Sequence, residues 1–387
     1  MKSGGVIEMC DCKKRDNYWY FSIEVLKKSI HDVIYSTNLK LPKNNYWSVH
    51  HEGTFADYIT MKDGDNVFFF HQRKIYGIGK LVTIKEDCKL LNFPGADFPP
   101  SPDFSKVKND MILNNSSKNL QNRMLCTFKG SPYFFKNGVD MDEVLESNPL
   151  KFKMLRAFEK LSFIKIDDEE NKALIDIILK NNEENLYNRS NIFIPNNKQH
   201  KRINSLVNEK YKVTSENILN LCKGKDGQLK HEMAIETGVL EHIIQNKGTF
   251  GQWDYVSHQV IASPFKPVIY MDKMDIFGYR LIPGYDTVSK YLVLEIKKGT
   301  ATKNDIIQVM KYVDWVKQAY SYGDYNMIEA FLVAYDFPPD VIQEKNDIAI
   351  RIYTKGFRPP TSKKWSNLRL IKYRYMPLKK ELKFIDV

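Results

Sequence analysis

Apolar and polar positions follow two different periods along this chain, and the change from one to the other marks its elements. Residues 291–296 read Tyr-Leu-Val-Leu-Glu-Ile, a run with the length and β-branched content of a buried strand. Glu295 and Lys297 interrupt it. Side chains two apart on a strand share a face, so a carboxylate and an ammonium stand together where apolar groups are expected. Such a placement costs free energy unless the pair has a partner or a function. At Thr302, with Asp305 three residues on, the period becomes helical. That cap-like pair opens a helix on which Gln308, Tyr312 and Trp315 share one face.

Earlier in the chain the pattern is mostly strand-like. Tyr18 to Ile23 is aromatic and β-branched, and a helical stretch with Val25, Leu26 and Ile30 follows. Tyr46 to Val49 and Phe55 to Met61 continue the aromatic pattern. The Asp63-Gly64-Asp65 turn then leads into Val67 to His71, and Tyr76 to Val82 returns after a short basic loop. Together these predict a curled antiparallel sheet. From Asn181 the chain turns polar and reads as a linker, partly helical over 203–211 and 215–222, with a break at Gly224 to Gly227. Beyond it lie an amphipathic helix over 232–246, strand-like runs at 268–270 and 274–281, a turn at Pro283 to Asp286, and further strands at 328–335 and 348–353. A helix or loop begins at Pro338-Pro339. The organisation expected is an α+β domain over 1–182, a linker over 183–225, and an α/β domain with a central mixed sheet over 226–387.

Length and composition agree with two domains: 387 residues, 43% hydrophobic and 27% charged. No run of 18 apolar residues occurs, and the first residues lack a signal peptide's apolar region, so the expected location is cytoplasmic and away from membranes. Five scattered cysteines, Cys10, Cys12, Cys88, Cys126 and Cys222, form no Cys-x-x-Cys pair and indicate neither a zinc site nor a disulfide framework. The net charge is +11, and residues 351–387 hold 11 Lys/Arg against two acids, Glu381 and Asp386. Interleaved aromatics there suit phosphate contacts, with Lys363, Lys364 and Arg369 as DNA-backbone candidates.

A hairpin centred near Tyr285 places Asp275 opposite Glu295, whereas Asp286 sits at the tip and cannot reach. Two carboxylates and a lysine are what metal-assisted phosphodiester cleavage needs. Carboxylate oxygens hold Mg²⁺ (or Mn²⁺), and the lysine orients a water or stabilises developing charge. Glu236 and Glu241 lie among the apolar positions of the preceding helix.

Two resemblances sharpen these readings. The string YITMKDGDNVFFFHQRKIYGIGKLV, with YWYFSIE before it and RAFEKLSFIKIDDEENKALIDIIL after it, resembles the EVE domain of the PUA-like superfamily. The stretch from Glu86 to Leu150 matches only loosely and includes a Pro-rich loop at 93–100. The resemblance implies a curled β-barrel that holds a flipped, modified base by stacking and by hydrogen bonds to its edge. Its pocket would be lined by Trp19, Trp47, Phe70 and His71, with Ser48 or Asp57 reading the base edge. The set Asp275, Glu295-Ile296-Lys297 and Gln308-x-x-x-Tyr312 resembles the PD-(D/E)xK nuclease superfamily, nearest its NucS-like and RecB-like members. That resemblance implies Asp275, Glu295 and the Ile296 carbonyl as metal ligands. Lys297 would be the catalytic lysine, Gln308 a positioning residue, and Glu241, ahead of Glu236, the acid on the first helix. No Pro precedes Asp275.

The function implied is a modification-dependent DNA endonuclease acting on double-stranded DNA, the base being a methylated or hydroxymethylated cytosine. One cutting centre per chain and two DNA strands imply a homodimer, at least on DNA. A repair or RNA-directed nuclease, and a non-catalytic reader of nucleic-acid modification, remain as alternatives.

Overall fold

Short aromatic and β-branched runs supply most of the strands, and where their period breaks the chain turns. The structure, a computed structural model, describes residues 5–9, 31–42, 44–130, 134–135, 137–155, 163–188, 194–263 and 272–387. The expected strands at 18–23 and 268–270, the helix with Val25, Leu26 and Ile30, Trp19 and the Cys10/Cys12 pair lie outside the described residues. The chain divides into two compact units: Met1–Tyr46 with Asp57–Thr214, and Trp47–Ala56 with Ser215–Val387.

The first unit is built on strands β1 (Gly5–Met9), β2 (Ile34–Asn38), β3 (Asn66–His71), β4 (Lys74–Leu81), β5 (Lys89–Leu91), β6 (Asn122–Gly130), β7 (Val139–Asp140) and β8 (Phe163–Ile166). Their order is β2-β6-β4-β3-β1-β8, with β5 also on β6 and β7 on β4. β1 runs parallel to β3, and the other pairings are antiparallel. The path is open between β2 and β8, so no closed barrel forms among the described residues. The β3–β4 hairpin turns at Gln72 and Arg73, both left-handed (φ 47 and 64), as two-residue hairpin loops require.

Two stretches differ from the sequence expectation. Residues 49–60 form a helix, α1 (Val49–Thr60), because Phe55, Tyr58 and Ile59 recur at helical spacing and are all buried. Residues through Ala56 count with the second unit. The segment read as a linker also folds. α2 (Phe104–Val107), α3 (Met141–Ser147) and α4 (Asp168–Asn181) precede α5 (Lys198–Leu206), after which Tyr211 follows. Ile203, Val207 and Tyr211 pack with Ile34, Leu90, Ile112 and Leu125 in one buried cluster. Three apolar groups four residues apart dock this otherwise polar stretch into the first unit's core. The loosely matching 86–150 stretch is integral too. Arg123 is fully buried, with its guanidinium bonded to the carbonyls of Ala96, Phe98 and Pro99, which pins the Pro-rich loop.

Beyond Trp47–Ala56, the second unit comprises α6 (Glu216–Leu221) and α7 (Glu232–Ile244), followed by β9 (Tyr255–Ile261), β10 (Lys273–Leu281), β11 (Val288–Thr300), α8 (Lys303–Ala319), β12 (Ile328–Asp336) and α9 (Pro339–Ile348). β13 (Arg351–Lys355) and β14 (Thr361–Trp365) pair as a separate ribbon, and β15 (Leu368–Met376) and β16 (Glu381–Asp386) rejoin the main sheet. That sheet runs β16-β15-β12-β11-β10-β9. It is parallel in the middle (β11–β12, β12–β15) and antiparallel at its margins, so it is mixed. α7 packs on β10, β11 and β16, and α8 on β11 and β12. The basic end of the chain is no appended tail: Leu370, Ile371, Tyr373 and Tyr375 of β15 are buried within this sheet. No helix among the described residues is long and apolar enough to cross a membrane.

Candidate active site

β11 carries the charged pair into the interior. Leu292, Val293, Leu294 and Ile296 are essentially unexposed, and each such burial stabilises by about 1.5–3 kcal/mol. Together they outweigh the roughly 1–3 kcal/mol cost of one unsatisfied buried polar atom. The strand can therefore hold Glu295, itself 2% exposed, with its Oε2 buried and lacking any hydrogen-bond partner. Lys297 Nζ donates to Glu295 Oε1 at 2.7 Å and stands 3.8 Å from Asp305 Oδ1. Asp305 is otherwise engaged in the capping box that starts α8, accepting from the Thr302 amide and hydroxyl.

The β10–β11 hairpin pairs Ile276 with Leu294, Phe277 with Val293 and Tyr279 with Tyr291. One further step along that ladder brings Asp275 beside Glu295, and the Ile296 amide donates to Asp275 Oδ2 at 2.7 Å. Ile296 thus meets the cluster through its N–H.

The helix acid that joins this cluster is Glu236, not Glu241. Glu241 accepts from the Ser215 amide and hydroxyl and from Gln245, at a different place on α7. Glu236, 2% exposed, accepts from His258 Nδ1 at 3.0 Å and from Gln259 Nε2 at 3.1 Å. The same Gln259 amide reaches Asp275 Oδ1 at 3.3 Å and so bridges the two carboxylates. Gln259 takes a left-handed backbone (φ 52) where β9 passes Asp275. Such a conformation costs a non-glycine residue about 1–2 kcal/mol, and it persists where the surroundings enforce it. His258 and Gln259 had no part in the sequence reading.

Electrostatics follow from this crowding. Burial, then the charges of Glu295 and Glu236, holds the Asp275 carboxyl well above the usual range. Burial pushes Glu295 up to about 7 against the pull of Lys297. Burial alone would lower the Lys297 ammonium, but the bond to Glu295 and the charges of Glu295, Asp275 and Asp305 hold it above its ordinary value. On α8, Gln308 donates to Tyr312 Oη at 2.8 Å, and burial together with the Glu295 charge raises the tyrosine hydroxyl. Gln308 is thereby held by Tyr312 rather than by Lys297.

This donor set suits a hard dication: carboxylate oxygens only, one of them orphaned in the interior, with like charges that a cation would relieve. Asp275 and Glu295 would hold it.

The base-pocket candidates are not gathered in one unit. Trp19 is outside the described residues. Trp47, 2% exposed, packs on His51 and Phe55 in the second unit, where Ser48 is exposed with its Oγ 2.6 Å from His51 Nδ1. Half-buried Asp57 and Phe70 belong to the first unit with His71, which is 3% exposed and has neither ring nitrogen hydrogen-bonded. Burial lowers the His71 pKa, which favours the uncharged ring.

Of the backbone candidates, Lys363 and Lys364 are exposed on β14. Arg369 is committed to Asp386, which two of its guanidinium nitrogens bond, and it also bonds the Thr249 carbonyl.

No known family's sequence profile matches the chain, and no curated protein matches it. Two solved structures are similar in part. A crystal structure of a repair endonuclease from Pyrococcus abyssi is 20% identical over 29% of this chain and 42% of its own, with a TM-score of 0.21. The structure of a hypothetical protein from Leishmania major is 13% identical over 46% of this chain and 96% of its own, with a TM-score of 0.28. The chain thus spans less than half the length of the endonuclease it matches.

Proposed function

We propose that the second unit is a metal-dependent endonuclease that hydrolyses phosphodiester bonds in double-stranded DNA. The observation that carries this reading is Glu295, buried with an orphaned Oε2, beside Lys297 and one ladder step from Asp275. Bound Mg²⁺ (or Mn²⁺) would polarise the scissile phosphate and make a bound water a better nucleophile. Asp275 and Glu295 orient the oxygens that hold it. Gln259 and the Ile296 amide fix Asp275 from both of its oxygens, so its geometry is set before substrate arrives. Lys297, kept protonated by three neighbouring acids, places positive charge where negative charge develops on the phosphate. Exposed Lys363 and Lys364 contribute phosphate contacts from the β13–β14 ribbon.

We further propose that the first unit selects the target by binding a modified base. The EVE resemblance supports this, together with a buried His71 whose two ring nitrogens have no hydrogen-bond partner and could bond a base edge. Incubating the protein and Mg²⁺ with plasmids that are unmodified or carry 5-methylcytosine, 5-hydroxymethylcytosine or N6-methyladenine tests both parts. Cleavage confined to a modified plasmid is expected. Equal cleavage of all four overturns the modified-base reading, and no cleavage of any overturns the nuclease.

A further inference from the structure

A cluster of side chains whose types can bind metals lies in the same unit, made of residues the proposed nuclease does not use. Cys222 caps the C-terminal end of α6, and His231 is the N-cap of α7. The eight residues between them form a tight hairpin. Lys223 bridges Leu229, the Gly224 amide donates to the Gln228 carbonyl, and the Gln228 amide donates to the Lys225 carbonyl. Asp226 and Gly227 at its tip are both left-handed (φ 51 and 76), the geometry of a type I′ turn. The hairpin brings its two ends together, and the Lys230 amide bonds the Cys222 carbonyl at 3.0 Å. The amides of Lys230 and His231 are also aimed at the Cys222 sulfur.

Glu52, on the part of α1 that belongs to this unit, completes the group. It is 1% exposed, and its Oε1 accepts from His231 Nδ1 at 2.8 Å. Its Oε2 is buried without a hydrogen-bond partner, the Cys222 thiol lying beside the carboxylate without a well-formed bond to that oxygen. One donor atom from each of Glu52, Cys222 and His231 lies within 4.8 Å of the other two.

From this arrangement we propose that Glu52, Cys222 and His231 form a structural binding site for Zn²⁺, separate from the cutting centre. Sulfur, imidazole and carboxylate together select zinc over the hard dications that an all-oxygen site takes. Metal bonds of about 2.0–2.3 Å match donors this close after small side-chain rotations. Uptake of the ion releases the Cys222 thiol proton to solvent, while the imidazole keeps its one proton on the ring nitrogen that does not bind the metal. The His231 side chain is 35% exposed, which leaves a route of entry and room for a water as fourth ligand.

The ion would fasten the hairpin to the sheet that carries the nuclease residues. Gln228 Nε2 bonds the Lys298 carbonyl at 3.0 Å, and Glu232, next to His231, accepts from the Lys298 amide at 3.2 Å. Tyr335 Oη bonds the Asp226 carbonyl, and the Tyr375 amide bonds the Gly227 carbonyl, both at 2.8 Å. Lys298 directly follows Lys297, so the site acts as a positioning device for β11.

Titration of the chelator-stripped full chain with Co²⁺, followed by absorption, tests the site without reference to cleavage. A near-ultraviolet thiolate-to-cobalt charge-transfer band saturating at one ion per chain is expected. The band should persist in Glu295→Gln, disappear in Cys222→Ser, and be displaced by Zn²⁺ but not by Mg²⁺. Elemental analysis of protein purified without added metal should find one zinc per chain, falling at least tenfold in Cys222→Ser. Absence of the band in the unmodified chain, or its survival in Cys222→Ser, overturns the proposal. Loss of nuclease activity would bear on the cutting centre and leave this readout unchanged.

Discussion

Glu295 lies buried in the carboxylate cluster of the second unit, and its environment sets a pH signature. With its carboxyl raised to about 7 from an ordinary 4.5, the folded metal-free protein holds this proton more tightly than the unfolded chain does. The resulting stabilisation is fully present below about pH 4.5 and is lost as pH rises through about 7. Each pKa unit is worth about 1.4 kcal/mol, so moving from pH 5 to pH 8 withdraws on the order of 3 kcal/mol through this group. Urea unfolding in chelator should show wild-type stability falling over that range relative to Glu295→Gln. Equal pH slopes for the two proteins would contradict the assignment. Gln259 offers a second test at this scale. Removing its amide in Gln259→Ala leaves Glu236 and Asp275 unbridged, and calorimetric titration with Mn²⁺ should show affinity reduced about 10–100-fold; unchanged affinity would make Gln259 a bystander. The Asp275, Glu295 and Lys297 set was legible in the sequence because a hairpin register and a period of two are local rules. Gln259 was not, since neither its left-handed backbone nor its bridge between α7 and β10 leaves a mark on β9. Choosing between Glu236 and Glu241 needed the rotation of α7, which packing on β10 and β11 decides.

Among the elements, β11 and α8 were plain from their periodicity and from the Thr302/Asp305 cap, and their tertiary environment agrees with that local preference. α1 was hidden, because the aromatic content of residues 46–61 imitates strand composition. The packing of 198–211 was also hidden, as its three anchors sit among Asn, Lys and His residues that make it look unable to pack. If Ile203 is core, Ile203→Ala should destabilise the protein by about 2–5 kcal/mol. A linker residue would cost less than about 0.5 kcal/mol, and urea unfolding distinguishes the two. The β13–β14 ribbon presents Lys363 and Lys364 on an exposed edge. Neutralising both to Ala should weaken DNA binding and lower the slope of log affinity against log salt by nearly two. An unchanged slope would leave these lysines as solvated charge.

At the scale of the whole molecule, two units are joined in one chain, one of them holding a crowded carboxylate centre and the other a mixed-topology open sheet with a buried histidine. The sequence conveyed a division into two units and the grouping of Asp275, Glu295 and Lys297 in the second. It did not convey that Trp47–Ala56 counts with the second unit, nor that the front sheet stays open among the described residues, since both depend on pairings between segments far apart in sequence. Cutting two strands with one centre per chain calls for two chains on the DNA, so we propose that the nuclease acts as a homodimer there. Whether Glu295 and Lys297 do the cutting is read from cleavage of the preferred plasmid in Mg²⁺ under single-turnover conditions. Glu295→Gln and Lys297→Ala should each slow cleavage by at least about 10²–10³-fold with DNA affinity retained; cleavage by either variant at the wild-type rate would contradict these roles.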